Sequence, residues 1–88
     1  VDIDWEYPGG GGMDYNSVDV VNDKHNFTLL MAEFRAQLNA QGTADGKHYA
    51  LTAAIGAGPD KIAQTEPNLY SQYMDWVNVM TYDLYGAW

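Results

Sequence analysis

Three carboxylates open the chain at alternate positions: Asp2, Asp4 and Glu6 stand between Val1, Ile3, Trp5 and Tyr7 in VDIDWEYP. A period of two puts the acids on one face of a strand and the apolar residues on the other. If the acids face water, this is an ordinary amphipathic edge strand. If they face the inside of a closed sheet, they form a column about 13 Å long from Asp2 to Glu6. Carboxylates held that close cannot all ionise freely, because like charge and desolvation favour the protonated form, and they titrate as a group. A carboxylic acid that keeps its proton near neutral pH at the mouth of a cleft is what general acid catalysis needs. Alternation alone leaves both readings open.

Other chemistries fit these residues less well. The acids match the first three ligand positions of an EF-hand calcium loop, but its required glycine falls on Tyr7 and its bidentate glutamate on Met13. The run Gly9 to Gly12 suggests a phosphate loop, yet a third glycine would have to stand at Asp14, and no P-loop lysine follows. His25 and His48 lie far apart without paired ligands at zinc spacing, so capping or surface roles are expected and no metal or cofactor is assigned. Asn26-Phe27-Thr28 is a glycosylation sequon inside a helical pattern, where modification is not expected.

The elements that position the acids follow from periodicity. A strand is predicted from Val1 to Tyr7 and ends at Pro8; Gly9 to Asn22 is long enough to be a functional rim loop. Phe27, Leu30, Met31, Phe34 and Leu38 recur at helical spacing, with Asn22 or Asp23 to cap the start and Gly42 just past the end. A second strand is predicted over Tyr49 to Ile55 and a third over Trp76 to Tyr82. Short helices are expected at Asp60 to Ala63 and Asn68 to Met74. This β-α-β-α-β order implies parallel strands with helices outside. In a closed barrel Ile3, Trp5 and Tyr7 would face the helices and the acids would point inward, with Glu6 at the C-terminal rim where barrel enzymes carry their chemistry. Met80 and Tyr82 share a face of the third strand and would reach the same rim.

Composition limits the partners. The chain has 88 residues, 47% hydrophobic and 18% charged, which reads as globular and one domain at most. Its net charge of -8 argues against nucleic acid and anionic membranes and favours a neutral ligand. No apolar run approaches the roughly 20 residues of a membrane helix, and the absence of cysteine leaves the redox compartment open. Val1 begins inside a strand pattern, so the chain is expected to be cut from something longer.

DIDWEYP resembles the active-site strand of family-18 glycoside hydrolases, the chitinases, whose pattern is Asp-x-x-Asp-x-Asp-x-Glu; the first Asp of that pattern would precede Val1. VMTYDLYGAW is similar to the sixth-strand motif of the same family, and YALTAAI to the fifth. The resemblance covers nearly the whole chain. It implies an α/β fold in which residues 1–88 are the central part of one catalytic (β/α)8 TIM barrel, about strands four to six with the intervening helices.

Carried over by position, the resemblance implies that Glu6 is the general acid of a retaining, substrate-assisted hydrolysis of β-1,4-N-acetylglucosamine links in chitin. Asp4 would stabilise the oxazolinium intermediate, Asp2 would share a proton beneath it, and Tyr82 would hold the acetamido carbonyl. Met80 and Ala54 would shape the acetyl pocket, while Asp83 and Tyr7 would bind the sugar. Alternatives are an endo-β-N-acetylglucosaminidase on glycoprotein or cell-wall glycan, and a non-hydrolytic chitin-binding lectin. A lectin of this kind usually lacks the acid that this chain keeps at Glu6. The implied partner is chitin or its oligosaccharides, and the implied full-length enzyme is an extracellular monomer. Three strands of eight would leave open edges, so the 88 residues alone are expected to be inactive and to aggregate or stay unfolded.

Overall fold

The computed structural model describes residues 1–10, 12, 17–19 and 21–80. Three strands, β1 (Asp2–Asp4), β2 (Thr52–Gly56) and β3 (Trp76–Met80), form a parallel sheet in the order β1-β2-β3. Between β1 and β2 lies the long helix α1 (Asp23–Asp45); between β2 and β3 lie α2 (Pro59–Ala63), α3 (Pro67–Tyr70) and a 3-10 turn at Ser71–Tyr73. Parallel neighbours need such crossovers, and both short helices begin with proline in the first turn, where its missing N–H costs nothing.

The helices cover one face of the sheet. Phe27 and Met31 of α1, Tyr70 of α3, Leu51, and Ala53 of β2 make the buried core. Ile3, Trp5, Ile55 and Val77 pack against it from the sheet. Phe27 is the centre of an aromatic chain, 6.0 Å from Trp5 and edge-on to Tyr70 at 5.0 Å between ring centroids. Each such side chain contributes about 1.5–3 kcal/mol by leaving water.

Several boundaries differ from expectation for physical reasons. The first ladder stops at Asp4, because β2 pairs with it only through Ala54 and the chain then turns, with the Gly10 N–H donating to the Tyr7 carbonyl at 3.0 Å. The second strand starts at Thr52, three residues later than its pattern suggested. The helix does not end at Gly42. It runs on to Asp45 and stops at Gly46, whose φ of +69° is the left-handed geometry of a glycine cap. Gly42 is required for another reason: a Cβ there would overlap the Lys47 carbonyl oxygen where the chain folds back. Leu30 is exposed on α1 instead of joining the core. Asn22 stands at the cap position without capping; the Asp19 carboxylate takes the N–H groups of Val21 and Asn22 at 3.2 and 3.0 Å.

At the N-terminal end of the sheet a single carboxylate ties three segments together. Asp75, just before β3, accepts from the Leu51 N–H at 2.7 Å, from Arg35 of α1 at 2.9 Å, and pairs with His48 at 2.6 Å. Arg35 also donates to the Tyr49 carbonyl at 2.7 Å. The Leu51 N–H, then His48 and Arg35, lower the Asp75 carboxyl from 3.8 to about 2. A depressed carboxylate stabilises the fold above its unfolded pKa, and that contribution disappears as the pH falls from about 4 through about 2. In the intact protein, Asp75→Asn is therefore expected to lower the unfolding midpoint at pH 6, with a deficit that shrinks as the pH approaches 2. Denaturant melts at both pH values check this, and a deficit independent of pH would contradict it.

Candidate active site

The sheet register brings the candidate residues together row by row. Asp4 of β1 lies beside Ala54 of β2, which lies beside Asn78 of β3. The row toward the N-terminal end holds Asp2, Thr52 and Trp76, and toward the C-terminal end Gly56 pairs with Met80. Residues in one row of a parallel sheet point to the same face. Because Ile3 and Trp5 pack on the helices, Asp2 and Asp4 stand on the opposite face, and both are exposed. Glu6, also exposed, follows Asp4 by two residues, about 6.6 Å along an extended chain, just past the ladder.

Asp2 is held from the neighbouring strand by the Thr52 hydroxyl, which donates to its Oδ1 at 2.8 Å. The residue patterns did not single out Thr52. Its only signal was its place two residues before Ala54, which becomes informative once the register is known. Asn78, in line with Asp4, is legible in the same way. Met80 is buried at the end of β3, whereas Ala54 is half-buried. Tyr82 and Asp83 lie outside the described residues.

Tyr7 is not packed on the core itself, as Ile3 and Trp5 are, but it lies on the helix side, lining a small pocket with Trp5, Phe27 and Ile62. It also lies with Asp4, Glu6 and Gly10 along an open groove of about 530 Å³. The Glu6–Tyr7 peptide bond is cis. Lys61 of α2 stands over the Tyr7 ring, its Nζ 4.7 Å from the centroid, a cation–π contact. Gly56 leaves room for both: a Cβ there would come within 2.7 Å of the Lys61 Cβ and 3.3 Å of the Tyr7 ring.

Asp2, Asp4, Ala54 and Met80 thus share one face of the sheet, with Glu6 just past its C-terminal end. The model of the glycosyl hydrolases family 18 matches residues 1–88. The chain belongs to this family. Among its relatives, chitinase A1 of Niallia circulans is 50% identical over 88 residues, which make up all of this chain and 12% of that protein. The structure of chitinase ChiA74 from Bacillus thuringiensis superposes with a TM-score of 0.92 at 47% identity, over 99% of this chain and 14% of that one. A family-18 N-acetylglucosaminidase from Paenibacillus barengoltzii gives 0.85 at 43% identity, over 97% of this chain and 24% of that one. This family-18 chain thus spans about an eighth of the length of the curated relatives it matches. Among the described residues, no helix is long and apolar enough to cross a membrane.

The close packing at Gly56 makes a direct prediction for the family-18 site. Gly56→Ala has to displace the Lys61 stem and with it the Tyr7 ring, an overpacking that costs about 1–3 kcal/mol. Chemical denaturation of the intact protein measures the cost; a loss below about 0.5 kcal/mol would mean that α2 yields freely.

Proposed function

We propose that residues 1–88 form strands four to six of a (β/α)8 barrel and carry the acid machinery of a chitin hydrolase. The supporting observation is the row Asp4–Ala54–Asn78 on the face opposite the helices, with Glu6 next along the chain, in a member of family 18. In this reading the Glu6 carboxyl gives its proton to the glycosidic oxygen as the bond from that oxygen to the anomeric carbon breaks. The substrate's own acetamido carbonyl oxygen attacks that carbon and forms a cyclic oxazolinium ion. Asp4 stabilises its positive charge through the N–H, and Asp2, fixed by Thr52, shares a proton with Asp4. Tyr82 holds the acetamido oxygen in line, Ala54 and Met80 shape the acetyl pocket, and Tyr7 and Asp83 bind the sugar. Water then opens the ring on the same face from which the leaving group departed, giving up its proton to the Glu6 carboxylate, so configuration is retained.

The substrate in this reading is a β-1,4-linked polymer of N-acetylglucosamine, too large and insoluble to enter a cell, so the full-length enzyme is proposed to act outside it; we propose separately that it acts as a monomer. The family-18 N-acetylglucosaminidase relative shows that the family includes enzymes named for N-acetylglucosaminidase action; the second reading kept here is an endo-β-N-acetylglucosaminidase on glycoprotein or cell-wall glycan, using the same chemistry.

The test is to graft residues 1–88 into the matching segment of a related barrel and measure release of N-acetylglucosamine oligomers from chitin. Glu6→Gln in this graft is expected to cut turnover about 10²- to 10⁴-fold while leaving oligomer binding intact. Retained turnover overturns the acid assignment. A folded graft with Glu6 that binds oligomers and releases nothing favours a lectin. For Tyr82→Phe the expectation is a fall in kcat well beyond any change in KM; equal effects on both would reduce Tyr82 to a binding residue.

A further inference from the structure

The turn that follows Glu6 is gripped by a carboxylate that the reaction itself does not use. Asp23, the first residue of α1, is only 7% exposed. One of its oxygens, Oδ2, accepts from the Gly9 N–H at 3.2 Å and from the Asp19 N–H at 3.1 Å. Neither donor belongs to the helix. One lies three residues after Glu6 and the other at the far end of the long loop, so the carboxylate pins both ends of that loop to α1.

The same turn is fixed from its other side. Gly9 and Gly10 adopt φ values of +78° and +109°, open chiefly to glycine. The Gln64 side chain fills the space where a Cβ on Gly9 would stand. Lys61 covers the Tyr7 ring and directs its ammonium toward the Gly10 carbonyl at 3.5 Å. A helix start favours a negative charge, but a solvent-exposed acid would supply that without desolvation. Burying the carboxylate and directing it at the loop backbone instead makes the turn geometry depend on Asp23.

We propose that Asp23 is a positioning residue: by holding the Tyr7–Gly10 turn through Gly9 it sets the direction of the Glu6 carboxyl toward the glycosidic oxygen. This rests on the reading of Glu6 as the acid. A displacement of about 1 Å in a reacting group costs on the order of 100-fold in rate, so a modest relaxation of the turn is visible in turnover.

The experiment uses the full-length enzyme and two substrates with the same sugar in the cleft. One is a chitin oligosaccharide, whose sugar leaving group needs the proton from Glu6. The other is an aryl glycoside, whose phenolate leaves with little help. Because water attack also uses Glu6, the comparison is made in kcat/KM, which counts only the steps through departure of the leaving group: Asp23→Ala is expected to lower it about 10- to 100-fold on the oligosaccharide and less than about threefold on the aryl glycoside. Asp23→Asn keeps the shape and an acceptor oxygen but loses the charge-assisted bonds. It is expected to show the same selectivity at smaller amplitude, and it carries the test if the alanine variant does not fold. Equal losses on the two substrates in a folded variant overturn the proposal and leave Asp23 a structural residue. Glu6→Gln runs alongside: its retained turnover would sink the acid reading itself, whereas a normal dependence on Glu6 with equal Asp23 losses sinks only the positioning role.

Discussion

A parallel sheet divides every strand into two faces, and in this chain the helices cover only one of them. The rest of the arrangement depends on that division. Ile3, Trp5, Ala53, Ile55 and Val77 are drawn against Phe27, Met31 and Tyr70, and burial of this set fixes the register. Once it is fixed, Asp2 and Asp4 have no place but the opposite face. A slip of one residue would put both carboxylates into the apolar layer beneath α1, at a cost of several kcal/mol per unpaired charge. The apolar packing therefore enforces the grouping of the acids.

The two ends of the sheet are built differently. At the N-terminal end, Asp75 gathers Arg35, His48 and the Leu51 N–H into a network that joins α1, the segment before β2 and the start of β3. At the C-terminal end the ladder between β1 and β2 stops early, and side chains hold the backbone: Asp23 on Gly9, Gln64 against Gly9, Lys61 over Tyr7. In the barrel proposed above, the first end would be the rim that holds the fold together and the second the rim that carries chemistry. His25 and Thr28 of α1, both bonded to Glu66 before α3, link the helices between the two rims and hold the Glu66 carboxyl below its ordinary range.

Much of this was legible in the sequence, because the signals were local. The alternation in VDIDWEYP correctly assigned the faces of Ile3 and Trp5, and helical spacing found α1 and most of its buried stripe. Boundaries were harder. Gly42 looked like a stop, yet its role is to admit the Lys47 carbonyl, a contact that exists only after the chain has turned at Gly46. Leu30 fitted the stripe but falls toward the groove, because the stripe is wider than the surface that covers it. The partners of the acids were hidden for a related reason. Thr52 lies 50 residues from Asp2, and nothing in either neighbourhood marks the pair until the strands are placed side by side.

That separation of 50 residues has a consequence during biosynthesis. Helix α1 can form from its own sequence as it leaves the ribosome, but the ladder between β1 and β2 is non-local and must await the later strand. At about 5–20 residues per second, β1 is extruded roughly 3–10 s before Thr52 exists to pair with it. Its carboxylate pattern keeps the waiting strand charged every second residue, which discourages premature pairing with other nascent chains. The same three acids thus act as gatekeepers of a newborn strand before its partner strand exists.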